Sequence, residues 1–566
     1  MKFVHLFCLL FFLSFPSVTS TSLAIPASLT TSLATSATIS YKFRAYLSDK
    51  GSVEYPLDEP YRFLSRQAVA RRGRQGVTID ESDLPISRDY FRLVEQAGGK
   101  IVAHSKWLNT LVVEMSDSMA INRVESLPFV DSVKYVWRGV DRYSREEFRP
   151  RLEIGDAGFF DDHDTEPSLF GVTSAQFSLH NAAPMIRAGY QGKGIGVGVI
   201  DAGFTNFDVI PWFDTMELRG YADFVPGGSI FSSSDHGTKV LSTMAINRPG
   251  KMMGSATEAS YWLLRSEDVA SEFPVEEDYW VQAIEYADSV GVDVVNTSLG
   301  YNQFNDSSLN YSHDDLTGKV SIMSRAADKA FQKGMIVVVS AGNEGNKQWQ
   351  KSTPPGDAQN VLAVGAVGVD SVIASFSSRG QMADGRVKPD LVSVGRGTVT
   401  IGQDGRIGYT NGTSLSSPFL AGLIASLWSV NPELHRDDLV NIVKHSSDRF
   451  NAPDSIYGYG IPDFTKAMNK VLRTLPVNSK RVISDRWLIE PVTSSGYTVT
   501  VKDPPFTGDA YRVRILDEAG GLVEELSISD NHSVFVPLTE EVRKNNNDLY
   551  FVVEEPFKQH TYRIRL

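Results

Sequence analysis

The chain has 566 residues, room for roughly three or four domains, each able to bury its own core. Hydrophobic residues make up 42% and charged ones 22%, and nothing repeats at a solenoid period, which excludes a disordered, collagenous or repeat protein. The formal charge of −13 repels a phosphate backbone and no sufficiently basic patch offsets it, so no nucleic-acid partner is expected.

A single cysteine, Cys8, excludes internal disulfides, cysteine-ligated zinc and iron–sulfur clusters. It lies within residues 1–20, where Lys2, an apolar run Phe3–Phe15 and the small residues Val18-Thr19-Ser20 have the layout of a cleaved secretory signal. The run holds roughly 13 apolar residues, short of the ~18–20 that a membrane span needs. A secreted or cell-surface location is therefore expected. Thr19–Ser40, rich in Ser, Thr and Ala, reads as a flexible leader.

Residues 41–140 present an extended run Tyr41–Leu47, a helical stretch Ser87–Ala97, extended runs Lys100–His104 and Leu108–Val113, a helix Asp117–Leu127 and a strand Ser132–Trp137. The order β-α-β-β-α-β predicts a ferredoxin-like α+β domain. The cluster Arg71-Arg72-Gly73-Arg74 reads as a solvated face in preference to a processing site. The segment 142–174 lacks periodicity and reads as a connector.

From Gly194 to Leu472 short apolar strands at Ile195–Ile200, Val292–Leu299, Met335–Ser340 and Val361–Val367 alternate with helical stretches such as Glu276–Ser289 and Lys319–Gln332. Such alternation predicts an α/β domain, a parallel sheet flanked by helices. From residue 478 to 566 the pattern is all-β, with strands at Thr498–Val501, Ala510–Ile515, Ser533–Val536 and Leu549–Glu554 predicting a separate small sandwich.

Three places in the α/β region carry chemistry. Asp201 follows a buried strand, at the carboxyl edge where parallel sheets build sites. His236 stands at a helix start within Asp235-His236-Gly237-Thr238. Read alone, the first is more often a turn or cap residue and the second a surface or capping residue. Ser414, in Asn411-Gly412-Thr413-Ser414-Leu415-Ser416-Ser417-Pro418, opens the apolar helix Phe419–Val430, with Pro418 expected in the first turn. A helix N-terminus favours an oxyanion beside it, although an N-cap serine alone also fits such a place.

Together these motifs resemble the subtilisin-like serine protease (subtilase) family, of the bacterial secreted type with an N-terminal propeptide. Asp201-Ala-Gly, His236-Gly-Thr and Gly412-Thr-Ser414-Leu-Ser-Ser-Pro stand in that family's order, Asp then His then Ser. The order, and the absence of a G-x-S-x-G elbow around Ser414, set aside a lipase-type hydrolase. The segments Asn296–Gly300, Ser340–Gly345, Ser375–Gly380, Lys388–Asp390 and Gly458–Gly460 extend the resemblance over about 194–472.

The resemblance implies a serine endopeptidase with an Asp-His-Ser triad of Asp201, His236 and Ser414, and Asn343 as an oxyanion donor. It implies that Ser298, Leu299, Gly300, Ala341 and Gly342 bind an extended polypeptide substrate, with Thr353 near the base of the specificity pocket. It also implies a zymogen whose propeptide acts as intramolecular inhibitor and chaperone. The implied organisation is a signal peptide (1–20), a propeptide (41–140), a processing linker (141–174), a catalytic domain (175–475) and a C-terminal β-sandwich (478–566). No cofactor is required for catalysis and no catalytic metal is implied; relatives often hold structural calcium, but no fixed-spacing loop assigns one here.

Two departures from the family pattern stand out. Ala202 replaces the usual Ser or Thr, removing one local hydrogen bond from the aspartate, and Phe419 replaces a common His at a core-facing position. The C-terminal stretch Tyr511–Leu566 resembles β-sandwich sorting domains that some outer-membrane bacteria append to exported enzymes, implying a bacterial sorting machinery as partner. The alternative from another class is a catalytically inactive subtilisin-like binding or scaffold protein.

Overall fold

The computed structural model of the chain describes residues 39–52, 54–140, 168–492, 495–502, 511–528 and 532–566. The expected signal segment 1–20 and residues 142–167 of the expected connector lie outside them. No helix among the described residues is long and apolar enough to cross a membrane.

The first domain is built as its alternation predicts. Strand Ile39–Leu47 pairs antiparallel with both Thr110–Met115 and Val130–Val140, and Lys100–Ser105 completes a four-stranded sheet at the far side of Thr110–Met115. One face, with Phe43, Ala45, Leu111 and Val113, closes on Val94 and Val124 of the helices Arg88–Gln96 and Asn122–Glu125. The opposite face, with Ala103, Val112, Val136 and Trp137, packs on Phe273, Val275 and Tyr279 of the next domain. A sheet buried on both faces explains why Thr110–Met115 is buried at every position.

That second face also carries charge. Arg44, 1% exposed, grips Asp278 through two donors, Nε to Oδ1 at 2.6 Å and Nη2 to Oδ2 at 2.7 Å. Its fork matches the carboxylate, the geometry in which a buried pair recovers its desolvation cost. Asp278 belongs to the helix Val275–Val290, whose first turn holds Glu276, Glu277 and Asp278. Further along that helix Glu285 accepts from Ser105 Oγ and from the backbone amides of Lys106 (2.9 Å) and Trp107 (3.0 Å).

The arginine cluster overturns its sequence reading. Residues Arg66–Arg74 form a helix capped by Ser65, whose hydroxyl accepts from Ala68 N at 3.1 Å. Arg71 and Arg72 are 0% and 1% exposed. Both donate to Asp288 of the acidic helix, Arg72 Nη2 at 2.7 Å to Oδ2, and Arg71 also reaches Val292 O. Arg72 pairs as well with Asp83 at 2.8 Å, and Arg74 with Asp293 at 2.9 Å. A charge run reads as solvated only when nothing carboxylate-rich covers it, and here the partner lies more than 200 positions away in sequence.

The α/β region holds a seven-stranded parallel sheet in the order Leu391–Val394, Leu362–Val367, Ile336–Ser340, Val294–Thr297, Gly196–Asp201, Ser260–Arg265, Glu217–Asp223. Helices His236–Ala245 and Thr413–Trp428 pack on one face. Val275–Val290 and Ile322–Gln332 pack on the other. The end of the expected connector belongs to this domain: Phe170 is buried against Phe177, and Gly171 bridges to Met252.

The C-terminal strands form a five-stranded and a four-stranded sheet around Trp487, Val499, Val513 and Phe551. They are not separate from the α/β domain, because Leu516, Tyr550 and Val552 join its core. Lys193 pairs with Glu554, and Tyr190 OH lies 3.0 Å from Thr561 Oγ1.

The substitution Asp288→Asn breaks a buried pair that two arginines share, an event costing roughly 3–5 kcal/mol. In the full chain, hydrogen exchange over Arg66–Arg74 is expected to rise strongly while the parallel sheet stays protected. Unchanged protection of that helix contradicts the assignment.

Candidate active site

The site is set by register. The strand Gly196–Asp201 pairs with Val294–Thr297 so that Ile200 lies opposite Thr297, and the next residues, Asp201 and Ser298, emerge side by side at the carboxyl edge. Asp201 is fully buried and accepts from Ala202 N at 2.8 Å through Oδ1. The same oxygen lies 2.7 Å from His236 Nδ1. His236 is the first residue of its helix, and Gly237 follows because a Cβ there would stand 2.4 Å from Gly203 O.

Ser414 is the second residue of the buried helix Thr413–Trp428, so Pro418 is the sixth residue and not part of the first turn. A proline at that place removes the N–H that would bond the carbonyl four residues back, which is Ser414 O. Ser298 Oγ fills the gap, donating to Ser414 O at 2.9 Å. The strand edge that carries Asp201's neighbour therefore also holds the serine's backbone. The Ser298 side chain is thus engaged in the interior, with Ser414 O and Asn296.

Asn343 approaches from the strand Ile336–Ser340. Its Oδ1 accepts from Thr413 N at 2.9 Å and Thr413 Oγ1 at 3.1 Å. A backbone N–H only donates, so this contact fixes which end of the amide is oxygen and turns Nδ2 the other way. A Cβ at Gly412 would lie 2.8 Å from Ser414 Oγ and 3.7 Å from Asn343 Nδ2, so both groups border one small space. Gly412 has φ +152, a conformation other residues rarely adopt. Thr413 is a positioning residue that the sequence reading missed.

The expected substrate segments also converge. Thr353, 4% exposed, has its hydroxyl 2.3 Å from where a Cβ would sit on Gly300 and 3.1 Å from the same point on Gly342. Its side chain fills the space between the two segments. Leu299 and Gly300 make no backbone–backbone hydrogen bond among the described residues, whereas Ala341 is tied to Val364 and Thr353. Phe419 lies in the core, edge-on to Phe177 with centroids 5.2 Å apart.

Charge around His236 is stronger than a triad alone supplies. The strand Ser260–Arg265 runs level with Gly196–Asp201, Arg265 opposite Asp201, so Glu267 reaches the same carboxyl edge. Applying the strand-edge rule to this strand as well finds it from sequence. Burial, together with Asp201 and Glu272, raises Glu267 to about 7. Carboxylate oxygens of Glu267, Glu272 and Glu276 lie within 4.8 Å of one another. Burial opposes a charged His236, but the charge and hydrogen bond of Asp201, then Glu267 and Asp235, outweigh it and raise the imidazole to about 9. The oxygen Asp201 Oδ2 is buried without a partner.

A carboxylate-held imidazole and a serine at a buried helix N-terminus, mounted on neighbouring ends of a parallel sheet, define a serine hydrolase class. Residues 192–460 match the family model described as the subtilase family (peptidase S8), and residues 42–150 match the peptidase S8 propeptide domain of Bacteroidota. The chain is 30% identical over 289 residues to subtilisin DY of Bacillus licheniformis, covering 49% of this chain and 93% of that protein. It is 28% identical over 314 residues to the serine protease AprX of Bacillus subtilis strain 168, covering 50% of this chain and 68% of that protein. The crystal structure of the epidermin leader peptide processing serine protease from Staphylococcus aureus shares the fold, with a TM-score of 0.50 at 18% identity over 76% of this chain and 98% of that one. The chain belongs to the subtilase family and carries that family's propeptide: it is a serine peptidase made as a zymogen.

The substitution Glu267→Gln removes a charge that favours the imidazolium. His236 becomes a free base only as pH rises through its raised value, so the acidic limb of kcat/KM against pH is expected to move to lower pH, by roughly half a unit. The matured enzyme and a chromogenic peptide test this, and an unchanged or alkaline-shifted limb contradicts the assignment.

Proposed function

We propose that the chain is an exported serine endopeptidase that cleaves extended polypeptides through an acyl-enzyme on Ser414 and releases itself from its own propeptide. The 2.7 Å contact of Asp201 with His236, on the strand edge whose neighbour holds Ser414, is the observation that carries the proposal. A serine hydroxyl is a weak nucleophile at neutral pH, so His236 takes its proton as Oγ attacks the scissile carbonyl. Asp201 fixes the tautomer and stabilises the imidazolium. The carbonyl oxygen gains negative charge as the tetrahedral intermediate forms. Asn343 Nδ2 and the Ser414 amide, at the positive end of the helix, stabilise that charge. His236 then protonates the leaving amine, and water, deprotonated by the same imidazole, hydrolyses the ester.

Substrate backbone aligns along Leu299–Gly300, whose amide and carbonyl groups are free to pair with an extended chain. Thr353 narrows the space between Gly300 and Gly342, and Glu344 near its mouth is paired with Lys347 at 2.8 Å. A narrowed pocket with a neutralised rim selects medium apolar side chains such as Leu or Met before the cut bond. Discrimination of that kind is worth ~10–200-fold.

Two experiments test the reading. Purified full-length chain is expected to yield a fragment that begins within 142–174, while Ser414→Ala stays intact; the matured enzyme, but not the variant, is expected to label with a fluorophosphonate. Equal processing of both chains in a protease-free preparation, or absence of labelling, favours the inactive scaffold. Cleavage profiling of a denatured proteome is expected to give Leu and Met, and Thr353→Gly to extend acceptance to Phe and Trp; a dominant Arg, Lys or Trp preference in the parent enzyme contradicts the pocket assignment.

A further inference from the structure

The propeptide touches the α/β domain in two regions, and only one is the apolar face of its sheet. Between the strand Ile39–Leu47 and the helix Arg88–Gln96 the chain inserts a segment, 59–83, that the β-α-β-β-α-β order does not need. Among the described residues, none of 59–83 joins either apolar cluster of the ferredoxin-like sheet. The segment lies instead at the amino edge of the parallel sheet, opposite the edge that carries Asp201 and Ser298. There Asp293, just before the strand Val294–Thr297, accepts from Gly196 N at 2.9 Å and so joins the starts of two neighbouring strands.

Three loops at that edge are gripped at once. The helix Arg66–Arg74 sets Arg71 and Arg72 on Asp288, and Arg74 on Asp293. Gln75, 2% exposed, donates to Leu434 O at 3.1 Å and accepts from Arg436 N at 2.8 Å. Lys333, in the loop before the strand Ile336–Ser340, donates to Asp80 Oδ1 at 3.0 Å and Asp83 Oδ2 at 2.8 Å. Gly291 lets the helix come close, since a Cβ there would stand 2.4 Å from Gln67 Cβ.

The enzyme's side of this contact is made for a cation. The helix Val275–Val290 ends there with no basic residue in its last turn, although its final carbonyls carry the negative end of the dipole. Asp288 adds a full charge at the same end. Arg71 answers both, donating to Asp288 Oδ1, to Asp288 O at 3.2 Å and to Val292 O. The pair of Arg44 with Asp278 lies ten residues earlier on this helix, about 15 Å away at 1.5 Å per residue. Each contact therefore has its own ion pairs, and a rigid helix separates them.

We propose that the amino edge is a second docking surface, independent of the sheet face, whose occupant is the arginine-bearing segment 59–83. It keeps the propeptide attached after the connector is cut. The retention rests on the self-cleavage proposed above, whereas the independence of the anchor does not. While the anchor holds, the ferredoxin-like sheet rebinds as a tethered partner at high effective concentration, so release is slow until both contacts open.

Hydrogen exchange of the full-length Ser414→Ala chain tests the anchor. The double substitution Arg71→Ala, Arg72→Ala is expected to speed exchange over 66–74 at least tenfold and to leave the strands 39–47 and 110–115 within twofold. Arg44→Ala is expected to do the reverse. Gln75→Ala strands no buried charge and should show the first pattern in weaker form, which decides the matter where the double variant does not fold. Both regions loosening together in every variant, or neither loosening, overturns the anchor. Retention is read from the parent chain and the double variant as they mature. Both yield the same enzyme, so a chromogenic peptide is expected to reach the same final rate, after a lag at least tenfold shorter in the variant. Equal lags after a completed cut overturn retention. A parent chain that never cuts itself overturns the proposed function instead, and the exchange pattern still decides the anchor.

Discussion

The parallel pairing of Gly196–Asp201 with Val294–Thr297 is the constraint on which the candidate site rests. Side chains of a strand alternate faces, so a slip of one residue would turn Asp201 away from His236 and Ser298 away from the serine helix at once. Both strands are buried on two faces, and neither can shift without exposing valines. The strand edge thus supplies two contacts of opposite purpose. Asp201 holds the imidazole, and Ser298 holds the carbonyl that Pro418 leaves without an intrahelical donor.

A different economy governs the contact between propeptide and enzyme. Its apolar centre of Val112, Trp137, Phe273 and Tyr279 is small, and buried ion pairs surround it. Such pairs add little over apolar residues of the same shape, but they punish a mispaired partner severely. Arg44 with Asp278, Arg71 and Arg72 with Asp288, and Glu285 with the turn Ser105–Trp107 define one docking position. The same pairs make separation costly until each partner is rehydrated. The propeptide is thereby held in one specific and persistent docking position.

Much of this was legible in the sequence because period and position carried it. The ferredoxin-like order, the parallel strands and the placement of Asp201, His236 and Ser414 follow from apolar runs and strand or helix ends. Thr353 was placed by resemblance, and the structure sets it between Gly300 and Gly342. What escaped depended on partners distant in sequence. The helix Arg66–Arg74 has almost no apolar periodicity, since its buried face is made of arginines, and a period-based reading has no signal for a helix held by charge. The strands Trp487–Val492, Leu522–Ile528 and Gln559–Arg565 are interrupted by charged residues that face solvent or pair with other strands of the same domain. Glu267 was missed although its strand, Ser260–Arg265, obeys the same edge rule as the strand before Asp201.

The carboxylates at the catalytic edge have a consequence for proton transfer. Asp201 Oδ2 has no donor, and Oδ1, 2.7 Å from His236 Nδ1, favours the charged imidazole. Glu267 adds to the same field. In the proposed mechanism the imidazolium that forms as Ser414 gives up its proton is stabilised by these carboxylates, which favours the attacking step. Less of the imidazole is free base at neutral pH, which opposes it. General-base catalysis balances exactly these two quantities, population of the correct form against driving force for transfer. As Glu267 itself ionises near neutrality, the field on His236 grows over the range in which the free base begins to appear. Glu267 and His236 therefore act on each other's protonation.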